Sequence, residues 1–281
     1  MCVKKSLSWI LFQFYLLKKI ELKEFVVSRV KQIESQEFNN PKTKRMKNTI
    51  ISLEGNIGSG KSTLLKFLEE AFSQNKNIIF LKEPVDEWEN IIDKEGTTML
   101  EKFYGDQEKY SFPFQMMAYI SRLAIMKKTM EENENCIIIT ERSLSTDKYV
   151  FAKMLYESGK IEDVCYKIYK MWFDTFAKDY PVEKMIYIKT SPEICHERIT
   201  KRSRTGEEQI PLDYLKKCSE YHEDMMDRMM THGIHQLELN GNVDIFENNY
   251  QKLNEWLKTI ANFICIWVFD RVFDRLLVFG L

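Results

Sequence analysis

Residues 49–72 read TIISLEGNIGSGKSTLLKFLEEAF. The first five form a nearly continuous apolar run of the kind found in strands covered on both faces. The last part places Leu64, Leu65, Leu68, Ala71 and Phe72 at helical spacing. Between them, Gly55-Asn56-Ile57-Gly58-Ser59-Gly60-Lys61-Ser62 matches the pattern G-x-x-x-x-G-K-[ST] in the strand–turn–helix context that it requires. Glycines there let successive backbone N–H groups converge on phosphate oxygens at a helix N-terminus. Lys61 is placed to reach β- and γ-phosphates, and the Ser62 hydroxyl to ligate Mg²⁺. A glycine-rich turn that binds nothing would have to meet all these constraints by accident.

Working outward, four further β-rich runs follow: IIFL (78–81), CIIIT (136–140), MIYIK (185–189) and HQLELN (235–240). Each is separated from the next by room for at least one helix. Helices are expected after the first run, over Phe114–Met130, and as a pair between Tyr149 and Ala177. The pattern predicts an α/β fold: a five-stranded parallel sheet with helices on both faces, in a single domain over residues 46–260. The 281 residues are 44% apolar, enough for a full core. The 41 basic and 42 acidic side chains leave a net charge of −1, so no basic field points to nucleic acid as a partner. Cys2, Cys136, Cys165, Cys195, Cys218 and Cys265 are scattered, with no C-x-x-C pair. That is the usage of packing thiols in a reducing compartment, so a cytoplasmic location is expected, with the mitochondrion as the alternative.

The two ends stand apart. Residues 1–45 open on a short basic start and an apolar run from Leu7 to Leu17, too short to span a bilayer and followed by Lys18 and Lys19 rather than a small-residue cleavage site. They are expected to be a dispensable extension, with Met46 directly before the first strand. Residues 261–281 are apolar but interrupted at Asp270-Arg271 and Asp274-Arg275. These charges make a membrane span expensive and favour a packed or amphipathic helix.

In a parallel sheet the carboxyl ends of the strands line the ligand crevice. The second strand runs into Glu83-Pro84-Val85-Asp86-Glu87-Trp88 and the third into Glu141-Arg142-Ser143. Glu83 is placed to take a proton from an acceptor hydroxyl. The bland alternatives are a solvated strand-end carboxylate for Glu83 and a simple Glu141–Arg142 pair. After the fourth strand, Arg198, Lys201, Arg202 and Arg204 precede Gly206 and Glu207. They suit a flap closing over a transferring phosphoryl group, or else a solvated basic helix face.

The combination of GNIGSGKST, EPVDEW, SFPFQ, ERS followed by TDKYVFA, and R-x-x-x-R-x-R with Glu207 resembles the deoxynucleoside kinase family over about residues 46–260. The resemblance implies a P-loop kinase fold with a basic lid, ATP as phosphoryl donor with Mg²⁺, and a deoxynucleoside whose 5′-hydroxyl accepts the γ-phosphoryl. It implies Glu83 as the base, Arg142 and Lys61 on the transferring phosphoryl, and Ser62 and Glu141 on the metal. The donor nucleotide would meet Gly55–Thr63 (Gly55, Asn56, Ile57, Gly58, Ser59, Gly60, Lys61, Ser62 and Thr63), the lid residues Arg198, Arg202 and Arg204, and Asp244. Tyr104 and Glu207 resemble the pair that holds the 3′-hydroxyl. Gln115 resembles the amide that reads the base edge, with Val85, Trp88, Phe114, Ala118 and Phe151 around the base. A homodimer is the family's usual state, and neither nucleic acid nor membrane is expected as a partner.

Two positions bear on the base. Arg122 and Asp147 stand where thymidine-preferring relatives carry apolar and small residues, and a polar pair suits the exocyclic groups of C, A or G better than a thymine methyl. The lid departs from the family pattern at Gly206. Two rivals remain: a nucleoside monophosphate kinase, against which EPVDEW and Gln115 speak, and an inactive accessory subunit of the same fold, which would be expected to lack residues such as Lys61, Ser62 or Glu83.

Overall fold

The computed structural model describes residues 48–202, 207 and 210–278. The expected extension 1–45, Arg204 and Gly206 lie outside them. The chain divides into two compact units, one built from residues 48–65 and 79–242, the other from residues 66–78 and 243–278.

The larger unit is organised by strands β1 (Thr49–Glu54), β2 (Ile78–Leu81, whose first residue belongs to the other unit), β3 (Ile137–Glu141), β4 (Lys184–Lys189) and β5 (His235–Asn240). They form one sheet in the order β2-β3-β1-β4-β5, parallel throughout and flanked by helices, as the apolar runs predict. The register pairs Leu53 with Glu141 and with Ile186, so the ends of β1, β3 and β4 lie side by side. On one face, Ile50 and Ile138 pack against Met126, while Met185 and Tyr187 pack against Val150, Met225 and Met226. Residues of the opposite face, Ile51, Leu53, Ile139, Ile186 and Ile188, are equally shut off from water. The central strands β1, β3 and β4, buried on both faces, are therefore largely apolar on both and read as runs, whereas the edge strand β5 alternates and is exposed at His235, Glu238 and Asn240.

The helices of this unit are α1 (Lys61–Ala71, which continues into the smaller unit), α2 (Val85–Glu89), α3 (Met99–Gly105), α4 (Gln107–Glu132), α5 (Leu144–Thr146), α6 (Lys153–Glu157), α7 (Asp163–Phe176), α8 (Pro192–Arg202) and α9 (Leu212–Thr231). A π-helical stretch, Asp147–Ala152, links α5 to α6. Helix α4 begins seven residues before the expected Phe114. Asp106 caps it by accepting from the Lys109 N–H at 3.2 Å, and Pro113 is carried inside it. In the smaller unit, α10 (Glu247–Val278) runs past residue 260. Among the described residues, no helix is long and apolar enough to cross a membrane. Cys136, Cys165, Cys195 and Cys218 are free thiols, all buried except the half-buried Cys165.

Candidate active site

The loop from β1 into α1 is shaped by its glycines. Gly55 has φ +146° and Gly58 φ +79°, and a Cβ on either would lie 2.8 Å from the Ile188 carbonyl oxygen or 2.5 Å from that of Cys195. No other residue fits both the dihedrals and the space. Asn56 locks the loop from within: its Oδ1 accepts from the Ile57 N–H at 2.8 Å, and its Nδ2 donates to the Leu215 carbonyl of α9 at 2.8 Å. Lys61 is buried and donates to the Asn56 carbonyl at 2.7 Å. Burial, with the Arg142 charge adding to it, pushes its ammonium down to about 8 against the pull of Glu141 and Glu83. Ser62 Oγ donates to Glu141 Oε1 at 2.6 Å. The Ser59 hydroxyl is buried without a hydrogen-bond partner. Arg198, expected in the lid, donates to the Ser59 carbonyl at 3.2 Å and to the Gly241 carbonyl at 3.0 Å, bracing the loop from its flank.

Beside the loop stands a cluster of carboxylates and guanidiniums. Glu83, at the exit of β2, is not a solvated strand-end carboxylate: its side chain is 12% exposed. Both its oxygens accept from Arg142 Nη1 at 2.6 Å, and Oε1 also accepts from Arg122 Nη2 at 2.9 Å. Burial alone would raise its pKa, but Arg142, Arg122 and Lys61 overcome that and hold it at about 2. Arg142 and Glu141, instead of pairing with each other, turn to Glu83 and Ser62 respectively. Arg142 achieves this at φ +61°, a conformation that costs a residue with a Cβ about 1–3 kcal/mol and gathers at functional sites. Its Nε is buried without a partner, and its guanidinium lies 5.1 Å over the Phe151 ring. Arg122 is the hub: Nε donates to Asp147 at 3.0 Å and Nη1 to the Glu141 carbonyl at 2.7 Å, in addition to the bond to Glu83. Asp147 is raised by burial to about 6 even with Arg122 beside it.

The apolar side chains expected around the base pack together. Val85, Trp88, Phe103, Phe114 and Ala118 fall in one buried group, with Phe103 stacked on Phe114 at 4.3 Å and Trp88 edge-on to Phe114 at 5.8 Å. The Trp88 indole N–H is satisfied by Ser121 Oγ at 2.8 Å. Gln115 is buried, and its Oε1 has no partner. A buried amide oxygen left bare is costly unless something else in the pocket donates to it. Tyr104 packs edge-on against Tyr214 at 6.3 Å, and its phenol is raised by burial with the Glu207 charge adding to it. Glu207 is buried and accepts from Arg202. Asp244 belongs to the smaller unit, where its Oδ1 accepts from the Phe246 N–H at 2.8 Å.

Among the described residues, the structure brings Asn56, Lys61, Ser62 and Glu141 together at the β1–α1 loop, Glu83, Arg122, Arg142 and Asp147 into one ionic cluster, and Val85, Trp88, Phe114 and Ala118 into one aromatic group, while Phe151 lies apart from that group under the Arg142 guanidinium. It adds Phe103 and Glu54, which the sequence reading passes over. Glu54 is fully buried beside Gly55, and Ser143 and Thr146 donate to its oxygens at 2.7 and 2.6 Å. A charge closing an otherwise apolar strand was the available signal.

The comparison with known proteins bears on the same span. A family model described as deoxynucleoside kinase matches residues 51–264. The chain is similar to a probable deoxycytidine kinase of Fowlpox virus, 33% identical over 219 residues, which cover 76% of this chain and 87% of the viral protein. It is similar to mitochondrial thymidine kinase 2 of Homo sapiens, 34% identical over 182 residues, 64% of this chain and 65% of the human protein. It is similar also to mitochondrial deoxyguanosine kinase of Xenopus laevis, 30% identical over 256 residues, 82% of this chain and 95% of that protein. The matched span takes in the glycine-rich loop, the ionic cluster and the aromatic group, and the chain belongs to the deoxynucleoside kinase family, whose members phosphorylate deoxynucleosides at the expense of a nucleoside triphosphate.

Proposed function

We propose that this kinase transfers the γ-phosphoryl of ATP to the 5′-hydroxyl of deoxycytidine, deoxyadenosine or deoxyguanosine in preference to thymidine. The observation that carries the reading is the buried Arg122–Asp147 pair, joined through Arg122 to Glu83 and set one turn along α4 from Ala118 of the aromatic group. A pocket ended by a guanidinium and a carboxylate suits exocyclic amino and carbonyl groups and offers no apolar seat for a methyl. Gln115, with its bare Oε1, would read the base edge between Trp88, Phe114 and Phe151. Tyr104 and Glu207 would hold the 3′-hydroxyl. Arg202 and Arg204 would close over the phosphates.

The chemistry asked of the chain is positioning and charge stabilisation around an in-line transfer. Glu83 is ionised at neutral pH, so it can accept a proton. Held at about 2, it is too weak to strip a free alcohol in advance. It would take the 5′-proton late, as bond formation to phosphorus acidifies the hydroxyl. Arg142 and Lys61 would neutralise the charge on the moving phosphoryl oxygens. Mg²⁺ fits the donor set, because Ser62 Oγ and Glu141 Oε1 are hard oxygens 2.6 Å apart. Ser62 and Glu141 would hold it, and it would supply charge neutralisation during the transfer. The test is phosphoryl transfer by the full chain with Mg²⁺-ATP and each of the four deoxynucleosides, with dCMP and dTMP as alternative acceptors. Transfer mainly to thymidine would overturn the base preference. Transfer confined to monophosphates would overturn the acceptor.

The Lys61 ammonium sets a pH limit. In the free enzyme it is charged below about 8 and loses its proton above. The value of kcat/KM for ATP should be flat to about pH 8 and then fall roughly tenfold per unit. Bound phosphates favour the charged form, so kcat should hold to higher pH. A kcat/KM profile still flat at pH 9.5 would refute this role for Lys61.

We further propose that two copies associate through α7. Val164, Ile168, Met171, Trp172 and Phe176 are exposed along one stripe of this helix, and Ile120 of α4 is exposed as well. So many large apolar side chains on one face exceed the usual scatter on a monomer's surface. Sedimentation equilibrium should give twice 33.6 kDa for the native chain and 33.6 kDa for M171E/W172E.

A further inference from the structure

Glu54 is the last residue of β1, fully buried. A strand end needs no carboxylate, and an apolar side chain would fill the place without the cost of desolvating one. What it does is visible in its bonds. Ser143 Oγ donates to Glu54 Oε1 at 2.7 Å, and Thr146 Oγ1 donates to Glu54 Oε2 at 2.6 Å. A hydroxyl has one proton, so a hydroxyl that gives it to Glu54 is left with lone pairs facing the backbone. Both are used that way: Ser143 Oγ accepts from the Thr146 N–H at 3.4 Å and Thr146 Oγ1 from the Ser143 N–H at 3.2 Å. The carboxylate therefore fixes the direction of both hydroxyls and the turn that they close.

Arg142 stands immediately before that turn. Its own N–H donates to the Leu53 carbonyl at 2.9 Å, and its carbonyl accepts from Thr140 Oγ1 at 3.0 Å. Leu53 and Glu54 thus grip the chain on either side of the Arg142 Cα, one through the backbone and one through a side chain. The residue so held is the one at φ +61° whose guanidinium spans both oxygens of Glu83. A conformation of this kind persists only where its surroundings over-determine it.

We propose that Glu54 is a positioning residue for phosphoryl transfer: through Ser143 and Thr146 it holds Arg142 in its left-handed conformation and so keeps the guanidinium aimed at Glu83 and the moving phosphoryl. This rests on the role given above to Arg142. Glu54 touches neither substrate and acts through the turn. Loss of this restraint should lower the rate of transfer and leave nucleotide affinity alone, because no bond of Glu54 reaches the backbone N–H groups of the phosphate loop.

The experiment compares Glu54→Ala, Glu54→Gln, Thr146→Val and Arg142→Ala in the full chain, singly and with Glu54→Ala and Thr146→Val each combined with Arg142→Ala. It reads kcat with deoxycytidine and the Kd for ADP. Glu54→Ala is expected to lower kcat about 30-fold and Thr146→Val about fivefold, with the Kd for ADP within about twofold of the native value. Glu54→Gln, which keeps an acceptor and lets the other hydroxyl rotate, should recover most of the loss. In the Arg142→Ala background neither substitution should lower kcat further, because the effect runs through Arg142. If Glu54→Ala does not fold, Thr146→Val, alone and in that background, decides the matter. An equal loss in both backgrounds, or a Kd for ADP that rises in step with the fall in kcat, would overturn the proposal. If Arg142→Ala itself leaves kcat unchanged, the reading of Arg142 fails and this proposal with it. If Arg142 matters and Glu54 and Thr146 do not, the proposal fails alone.

Discussion

Glu83→Gln is expected to lower kcat by about three orders of magnitude while the Kd for ATP stays within about twofold. The amide has the shape of the carboxylate and can still accept a hydrogen bond from Arg142 or Arg122, so the pocket keeps its volume. It cannot hold a proton taken from the 5′-hydroxyl. It also withdraws the negative charge that faces two buried guanidiniums, which Glu83 meets at 2.6 and 2.9 Å. The two arginines feel that loss unequally. Arg122 retains Asp147 and the Glu141 carbonyl, whereas the Arg142 guanidinium loses its charged partner while its Nε is already unpaired. Part of the effect is therefore a misplaced Arg142, and a melting temperature measured beside the kinetics separates that from general unfolding. A residual kcat above a tenth of the native value would remove Glu83 from the role of base.

The pH dependence of stability carries the same cluster's signature. The folded-state pKa of Glu83, at about 2, lies below its ordinary 4.5, so its contribution is present above about 4.5 and is lost as pH falls toward 2. Asp147 acts in the opposite sense. Raised to about 6 from 3.8, it stabilises fully below 3.8, and that stability is lost as pH rises through 6.

What the sequence yields and withholds follows from the range of the interactions. The β1–loop–α1 segment is local, an apolar run giving way to glycines and then to a period of 3.6, and its boundaries could be read directly. Glu83, Glu141 and Arg142 could be placed because a parallel sheet brings its strand ends to one edge. Helix α3 left a local signal in Thr98 and Glu101, the two ends of a capping box, yet its apolar face was not separable from its surroundings by period alone. The start of α4 was obscured by Pro113, which reads as a first-turn residue but sits inside the helix. The π-helical stretch Asp147–Ala152 winds with a period that no 3.6-residue pattern anticipates. The same holds within the site. That Arg122 and Asp147 meet could be expected from resemblance, but the bond from Arg122 to Glu83 joins residues 39 apart on different elements. It links base recognition to the reacting end, and nothing local encodes it.

That link makes Arg122→Met with Asp147→Ala the second substitution of large effect. The double variant is expected to raise the ratio of kcat/KM for thymidine to that for deoxycytidine about 100-fold. It replaces the polar end of the pocket with an apolar wall that accepts a methyl and no longer rewards an amino group. Both residues must change together. Removing Arg122 alone would leave Asp147 buried without its guanidinium, and removing Asp147 alone would leave Arg122 with less opposing charge in a site that is 4% exposed. The price of the change falls on the reacting end, because Arg122 is one of the two guanidiniums that hold Glu83 ionised. With Arg122 gone, burial weighs more heavily on that carboxylate and its pKa should rise. The double variant should therefore phosphorylate thymidine in preference to deoxycytidine with a lower kcat for both, and the acid limb of its pH–rate profile should move to higher pH. An unchanged base ratio would show that Arg122 and Asp147 serve Glu83 alone and that the base is read elsewhere in the pocket.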